Sequence, residues 1–221
     1  MYIVILGAPG AGKGTQSQLI SDEYLIPGIS TGDLLRGAAA NPHDITSRKI
    51  ASTIRQGLLV SNDLILKVIK DRIQNDDCKN GFILDGFPRS LEQAKLMSQI
   101  LPNDSKNIVI NLSIDTEVLV KRLIGRFSCK LCGSIYNKFF HQTKIENVCD
   151  SCGSTFFIFR NDDEEDVIRK RMTVYEAETK PMIEYYELIQ NEKFSMKTFD
   201  GSKNVHELFD EIKHFLNSFK R

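Results

Sequence analysis

Neither sign of charge is in surplus along this 221-residue chain: 29 basic residues stand against 29 acidic ones, so with histidine neutral it has no net charge. That balance excludes the broad positive field on which non-specific nucleic-acid binding relies. Long apolar runs are also missing. After Met1 the chain is apolar only from Tyr2 to Leu6 and has no basic start, which excludes the charged region and longer apolar stretch of a secretory signal. No run approaches the ~20 apolar residues of a membrane-spanning helix, and a cytoplasmic protein with no membrane partner is expected. The four histidines, His43, His141, His206 and His214, share no motif, so none is placed to act as an acid or base and all are expected to be structural or surface groups. Cysteines number five, and a chain of this length builds a core without staples, so size does not demand them. In a reducing compartment paired cysteines are metal ligands more often than disulfides. Cys78, alone in NDDCKNG, is expected to be structural, because a reactive thiol needs an identifiable electropositive setting.

What is present is a repeated alternation of short apolar strands and helices. Tyr2 to Leu6 ends in glycines and is followed by helical spacing from about Gly14 to Tyr24. A comparable unit recurs at Gly81 to Asp85, with a helical stretch from Ser90, and a third at Asn107, continuing into Asp115 to Gly125 with Asp115 as the helix cap. A last strand at Met196 to Phe199 precedes an amphipathic helix carrying Val205, Leu208, Phe209, Ile212, Phe215 and Leu216. Such alternation predicts an α/β fold with a parallel sheet covered by helices on both faces. Two segments break the rhythm: residues 30–60, expected to be helical with no strand, and the cysteine-bearing residues 126–161. Both read as insertions placed after strands, where such folds bind ligands.

GAPGAGKGT, Gly7 to Thr15, follows the first strand and opens a helix, the context a phosphate-binding loop requires. Small residues let backbone N–H groups turn inward around phosphate oxygens, and the helix N-terminus adds its positive dipole end. Lys13 would then reach the β and γ phosphates as a mobile point charge. The general pattern places Ser or Thr directly after the lysine, whereas Gly14 intervenes here before Thr15. Direct Mg2+ ligation by that hydroxyl therefore does not follow, and Asp85 and Asp33 are candidate outer-shell acceptors.

Cys129, Cys132, Cys149 and Cys152 form two Cys-x-x-Cys knuckles separated by sixteen residues. Four soft thiolates on two knuckles suit tetrahedral zinc, although iron can occupy the same ligand set and a disulfide pair is an alternative. With no coordination position left open the metal would be structural, supplying the folding free energy of an insertion with little core of its own. A nucleic-acid-binding ribbon is disfavoured, because the loop between the knuckles has only Lys138 and Lys144 as cations beside Glu146, and Tyr136, Phe139 and Phe140 are expected to pack within the insertion.

Taken with STGDLLR (Ser30 to Arg36), DGFPRS (Asp85 to Ser90), Gln93, LIGR (Leu123 to Arg126) and FRNDDEEDVIRKR (Phe159 to Arg171), these motifs resemble adenylate kinase in its long-lid bacterial form, in order and over essentially the whole chain. The resemblance implies a P-loop nucleoside monophosphate kinase fold with a core of residues 1–29, 61–125 and 162–221, a helical AMP-binding segment 30–60, and a zinc-ribbon lid 126–161. It implies that Thr31, Arg36, the backbone of Leu58, Leu59 and Val60, and Gly86, Phe87, Pro88, Arg89 and Gln93 bind AMP, with Arg160 and Arg171 at its phosphate. Gln93 would read adenine, since its amide donates and accepts at once. ATP would lie against Gly10, Ala11, Gly12, Lys13, Gly14 and Thr15, held by Arg126, by Ile135 and Tyr136 at the lid edge, and by the loop at Lys203. Catalysis would fall to Lys13, Arg89, Arg122, Arg126, Arg160 and Arg171. A cis Phe87–Pro88 bond is implied as well. Two positions depart from the family: Phe127 stands where a second arginine is common, and Leu58 where lysine is found.

The chemistry agrees independently. An AMP phosphate is already an anionic nucleophile, so the reaction needs alignment and charge neutralisation rather than a base, which predicts many guanidinium groups and no catalytic histidine. Glu164, Glu165 and Arg169 read as a solvated helix start, whereas Asp162 and Asp163 are expected to fasten the closed lid to arginines. The expectation is a monomeric, Mg2+-dependent enzyme with structural Zn2+ that interconverts ATP and AMP with two ADP and binds no nucleic acid. Another nucleoside monophosphate kinase, with GTP as donor or a different acceptor, and a nucleotide-gated RNA-binding protein are the competing readings.

Overall fold

Strand β1 (Tyr2–Gly7) occupies the middle of a five-stranded sheet ordered β2-β3-β1-β4-β8, with β2 at Gly28–Ser30, β3 at Phe82–Asp85, β4 at Asn107–Ser113 and β8 at Phe194–Asp200. The computed structural model describes residues 1–101, 106–160, 163–190 and 194–219. Every pairing in this sheet is parallel, and the register sets Ile3 beside Ile83 on one side and Ile108 on the other. Side chains alternate across a strand, and the core divides accordingly. Ile3, Ile5, Ile83, Ile108 and Ile110 pack with Ile20 of α1 (Lys13–Tyr24) and Leu208, Ile212 and Leu216 of α9 (Val205–Asn217). Val4, Leu6, Leu84 and Val109 face the other way, onto the helices between β2 and β8. Each fully buried isoleucine or leucine is worth about 1.5–3 kcal/mol over an exposed one, so both faces are covered, as the near-continuous apolar strands require.

The helices on that second face are α2 (Thr31–Ala38), α3 (Ile45–Arg55), α4 (Asn62–Ile73), α5 (Leu91–Lys95) and α8 (Lys180–Leu188). Their starts are locally encoded: the Ser30 hydroxyl accepts from Asp33 N at 3.2 Å, and the Asp44 carboxylate from Ser47 N at 2.6 Å. Asp115 caps α6 (Thr116–Ile124) as expected, accepting from Glu117 N at 2.9 Å. One expectation needs correction. The chain at residue 30 is strand, because Gly28–Ser30 pairs in parallel with β3 and sets Ile29 beside Leu84. Three residues starting at a glycine show no periodicity; only the sheet edge waiting beside them makes them a strand.

The cysteine-bearing insertion is a separate antiparallel sheet, β6-β5-β7, with β5 at Arg126–Cys129, β6 at Ile135–Asn137 and β7 at Phe157–Ile158. Its apolar cluster is small: Cys129, Tyr136 and Cys149, with Phe127 and Phe157 against them. Tyr136 packs inside as expected, but Phe139 and Phe140 do not, being 65% and 55% exposed. Beyond it, α7 (Glu165–Val174) passes through a wide helical turn at Tyr175–Thr179 into α8. Glu165 and Arg169 form an exposed 2.6 Å pair one turn apart on α7, the solvated helix start read from the sequence. Asp162 lies outside the described residues.

Candidate functional site

The carboxyl ends of β1 and β3 meet where the chain crosses from one side of β1 to the other, the position at which open parallel sheets place ligands. The loop leaving β1 is built from small residues for steric reasons. Gly10 and Gly12 adopt φ of 85° and 91°, a region that side chains rarely enter. Gly14 is explained by its neighbours: a Cβ there would lie 3.3 Å from Ile135 Cδ1 and 3.5 Å from Asp85 Oδ2. The departure at this position thus leaves room for the cysteine-bearing insertion and for a carboxylate beside the loop.

Lys13 opens α1 and donates from Nζ to the carbonyls of Gly7 at 2.8 Å and Ala8 at 2.9 Å. Burial pulls its pKa down to about 8; Asp85 opposes this and Arg89, Arg171 and Arg126 add to it. The Asp85 carboxyl is pushed up by burial and pulled back by Lys13 and Arg89. An oxygen donor in this setting suits a hard cation held through water.

Two adjoining cavities lie beside the loop. One is lined by Thr31, Leu58, Leu59, Val60 and Gln93 among the residues singled out from the sequence. The other is lined by Gly7, Lys13 and Pro88. Gly57, Leu59, Gly86, Arg89 and Arg171 line both, so the two spaces join at a pair of guanidinium groups. Phe87 is wholly buried in the core, and its cis bond to Pro88 is present. Thr31 is buried and donates from Oγ1 to Asp85 O at 3.0 Å. Gln93, 3% exposed, accepts at Oε1 from Arg89 N at 2.8 Å and donates from Nε2 to Asn62 Oδ1 at 3.0 Å.

The remaining arginines are held by protein acceptors around these cavities. Arg126 forms a two-point pair with Asp163 at 2.8 and 2.6 Å, and Arg171 reaches the same carboxylate at 3.3 Å. Asp163, with a side chain only 6% exposed, thereby ties the start of β5 to α7. Arg36 pairs with Asp33 on its own helix and does not line either cavity, while Arg160 lies 3.8 Å from the same carboxylate. Burial tends to raise the Asp33 carboxyl, but Arg36 and the Ser30 hydrogen bond outweigh it and hold it below its ordinary value. Arg122 donates to Gly201 O at 2.9 Å, and Gly201 lies against the phosphate loop, since a Cβ on it would be 3.2 Å from Ala11 O. Lys203 in that same loop pairs with Glu211.

Buried charge-assisted hydrogen bonds are worth about 1.5–3 kcal/mol. Asp163→Asn is therefore expected to lower the thermal midpoint by about 3–12 °C and to reduce turnover, with faster amide exchange in β5 and β6. An unchanged midpoint with unchanged turnover would mean that this carboxylate fastens nothing.

The four cysteine sulfurs lie within 4.8 Å of one another. Cys129 and Cys152 are 3.6 Å apart and Cys132 and Cys149 3.5 Å, far beyond the ~2.05 Å of a disulfide and near the ~3.8 Å edge of a tetrahedron with ~2.3 Å metal–sulfur bonds. The knuckles repeat one geometry. Gly133 N and Gly153 N turn back to the carbonyls of Cys129 and Cys149 at 3.0 and 2.8 Å, with φ of 77° and 72°. Tyr136 OH lies 3.3 Å from Cys149 Sγ, and that hydrogen bond pulls the thiol down to about 6. The Tyr136 ring is consequently turned into the insertion. Phe127, where the family resemblance leads one to expect a second arginine, packs on Tyr136, Phe157 and Phe159 at centroid distances of 5.6, 5.3 and 5.9 Å, so an aromatic core contact stands at this position.

Neither cavity is lined by a histidine, and Cys78 is buried with its thiol pushed up, first by burial. Sequence reasoning missed Gly57, Asn62 and Thr179. Gly57 follows α3 with φ 69°, and a helix-terminating glycine is a legible signal. Thr179 donates to Arg89 O at 2.7 Å across 90 positions, which no local signal announces.

Residues 5–191 match the family model described as adenylate kinase. The chain is 42% identical over 214 residues to an adenylate kinase of Thermodesulfovibrio yellowstonii, covering 96% of this chain and 97% of that one. It is likewise 42% identical over 216 residues to an adenylate kinase of Rickettsia peacockii (98% and 99% covered) and 41% identical over 218 residues to one of Clostridium acetobutylicum (98% and 99%).

Proposed function

The chain belongs to the adenylate kinase family and is an ATP:AMP phosphotransferase, and we propose how its residues divide that work. ATP phosphates lie in the loop Gly10 to Thr15 with Lys13 beneath them, and AMP occupies the cavity lined by Thr31, Leu59 and Gln93, with its base toward Gln93 and its phosphate toward Arg89 and Arg171. The observation that carries this reading is the junction of the two cavities at Arg89 and Arg171, next to the one lined by Lys13. There an AMP phosphate oxygen forms the new bond to the γ phosphorus while the bond from that phosphorus to the β–γ bridging oxygen breaks. The leaving oxygen remains on ADP, and no proton has to be removed from the nucleophile. Lys13, Arg89, Arg126 and Arg171 neutralise the equatorial oxygens; Arg36 and Arg160, now shared with Asp33, exchange that carboxylate for phosphate when nucleotide enters. Adenylate kinases use Mg2+ with ATP, and Asp85 offers the carboxylate that would hold it through water; the ion supplies charge neutralisation between the β and γ phosphates.

Residues 126–161 act as a lid, residues 30–60 as the AMP-binding segment, and the rest as core. Ile135 beside Gly14 supports the lid assignment. Tyr136, whose ring is spent inside the lid, would contact ATP through its backbone, and the Lys203 loop would border the same nucleotide. The cysteine geometry supports a structural zinc. No helix among the described residues is long and apolar enough to cross a membrane, and the absence of net charge supports a protein that does not bind nucleic acid; a cytoplasmic monomer is the reading that goes with the family.

The test is the initial rate of ADP formation from Mg-ATP with AMP, GMP, CMP and UMP in parallel. AMP is expected to be preferred by at least about 100-fold, because an acceptor whose base leaves the buried Gln93 amide unpaired loses more than one hydrogen bond. Comparable rates with two acceptors would overturn the base assignment.

A further inference from the structure

We infer that Tyr136 is a positioning residue for the metal: its hydroxyl donates a hydrogen bond to the metal-bound thiolate of Cys149 and so ties the cysteine cluster to the strand that borders ATP. The inference rests on the proposal that the four thiolates hold zinc. Chemistry fixes the sense of the bond. Tyr136 is 2% exposed, and its hydroxyl carries one hydrogen and two lone pairs. Asp150 N donates to that oxygen at 2.8 Å, and a backbone N–H can only donate. Cys149 Sγ lies 3.3 Å from the same oxygen, and a sulfur that ligates a metal has lost its proton, so the hydroxyl is the donor to it. The other knuckle differs. Cys132 Sγ lies 3.1 Å from the Ser134 hydroxyl in a contact open to solvent, and that hydroxyl also reaches Ser151 Oγ at 2.9 Å, so its hydrogen has two claimants. The Tyr136 hydrogen is committed and shielded from water, as suits an outer-shell donor that orients a ligand atom.

The strand that carries Tyr136 extends the consequence beyond the cluster. β6 is three residues long, and successive side chains leave a strand on opposite faces. Ile135 reaches toward the phosphate loop, where a Cβ on Gly14 would lie 3.3 Å from its Cδ1. Asn137 donates from Nδ2 to Arg122 O at 2.6 Å, which fastens the strand to the end of α6. Tyr136, between them, packs with Cys129 and Cys149. One face of β6 therefore bears on the nucleotide side and the other on the metal, and the hydroxyl is the polar link between the two.

The experiment compares the unaltered protein with Tyr136→Phe and Phe157→Leu. The first keeps the ring that stacks on Phe127 and His141 and removes the hydroxyl; the second trims an edge contact to that ring, at a centroid distance of 5.8 Å, and leaves the hydroxyl in place. Zinc affinity is read by competition with a chelator, and Co2+ bound in place of zinc reports on the sulfurs through its sulfur-to-metal charge-transfer band. Tyr136→Phe is expected to weaken zinc binding by about 10- to 100-fold. It is also expected to move the cobalt band to longer wavelength, because a hydrogen bond lowers the sulfur lone pair from which the electron is promoted. Phe157→Leu is expected to leave the band in place even where it lowers the thermal midpoint. Chains that fail to fold bind no cobalt and add nothing to the band. An undiminished zinc affinity or an unmoved band in Tyr136→Phe, or an equal shift in Phe157→Leu, overturns the inference while the metal reading stands. An unaltered protein that takes up neither zinc nor cobalt overturns the metal reading, and the inference with it.

Discussion

Lys13→Met is expected to reduce kcat by about 10²- to 10³-fold, the scale seen when one preorganised electrostatic group is removed from a developing negative charge. Methionine keeps most of the stem, so shape is preserved and charge is lost. The substitution should cost little stability. It removes hydrogen bonds to the Gly7 and Ala8 carbonyls, but it also removes an ammonium whose burial is unfavourable enough to bring its pKa to about 8. The sign of that shift makes a second measurement possible. The unfolded chain holds this proton up to about pH 10.5 and the folded, empty enzyme only to about 8. The burial cost is thus fully present below pH 8 and is relieved as pH rises from there toward 10.5. Phosphate restores the charge, so nucleotide binding above pH 8 should take up a proton and weaken as pH climbs, while binding below pH 8 should not. Calorimetry in buffers of different ionisation enthalpy reads the proton directly. Lys13→Met with near-native turnover would remove Lys13 from the phosphate site, whereas binding with no proton uptake at pH 9 would mean that the ammonium is already charged in the empty enzyme.

Stripping the metal from the cysteine cluster should abolish activity by unfolding one part of the molecule and leaving the rest. Structural zinc is worth about 10–16 kcal/mol to a small module at neutral pH. The cysteine-bearing insertion has nothing comparable, since its strands are two to four residues long and its buried cluster is Cys129, Tyr136 and Cys149. Without the four sulfurs gathered, β5 to β7 should lose amide protection, and Arg126 on β5 and Ile135 on β6 would leave the phosphate loop. The five-stranded sheet, with Ile3, Ile5, Ile83 and Leu84 fully buried, should keep its protection. Metal analysis is expected to give one zinc per chain, and Cys149→Ser should behave as the chelated enzyme does. Acidification acts in the same direction, because the ligands must be thiolates. A chelated protein whose lid amides exchange as slowly as before would show that the sulfur cluster does not hold the lid.

Much of this was legible from the chain alone, and the reason is locality. The phosphate loop joins residues no more than six positions apart, each knuckle spans four residues, and the caps at Ser30, Asp44 and Asp115 bond backbone groups two or three positions away. Four of the five core strands are legible in the sequence, β1, β3 and β4 as apolar runs and β8 as a short stretch ending at Asp200-Gly201. The fifth, Gly28–Ser30, is too short to show a period. Phe139 and Phe140 were expected inside the lid on hydrophobicity alone, but so small a sheet has one packed face, and Tyr136, Phe127 and Phe157 already fill it.

Residue type and near spacing were enough to specify an α/β chain with a phosphate loop, an arginine-rich site without a histidine, and a four-thiolate knuckle pair, because each depends on chemistry carried by neighbours in sequence. Folding alone decided the pairings between distant positions: Asp163 between Arg126 and Arg171, Asn62 on the amide of Gln93, Thr179 on the carbonyl of Arg89, and Ile135 against Gly14. A hydrogen bond or ion pair requires contact within a few ångströms, and contact across tens of residues is set by how the helices pack on the sheet, which no local pattern encodes.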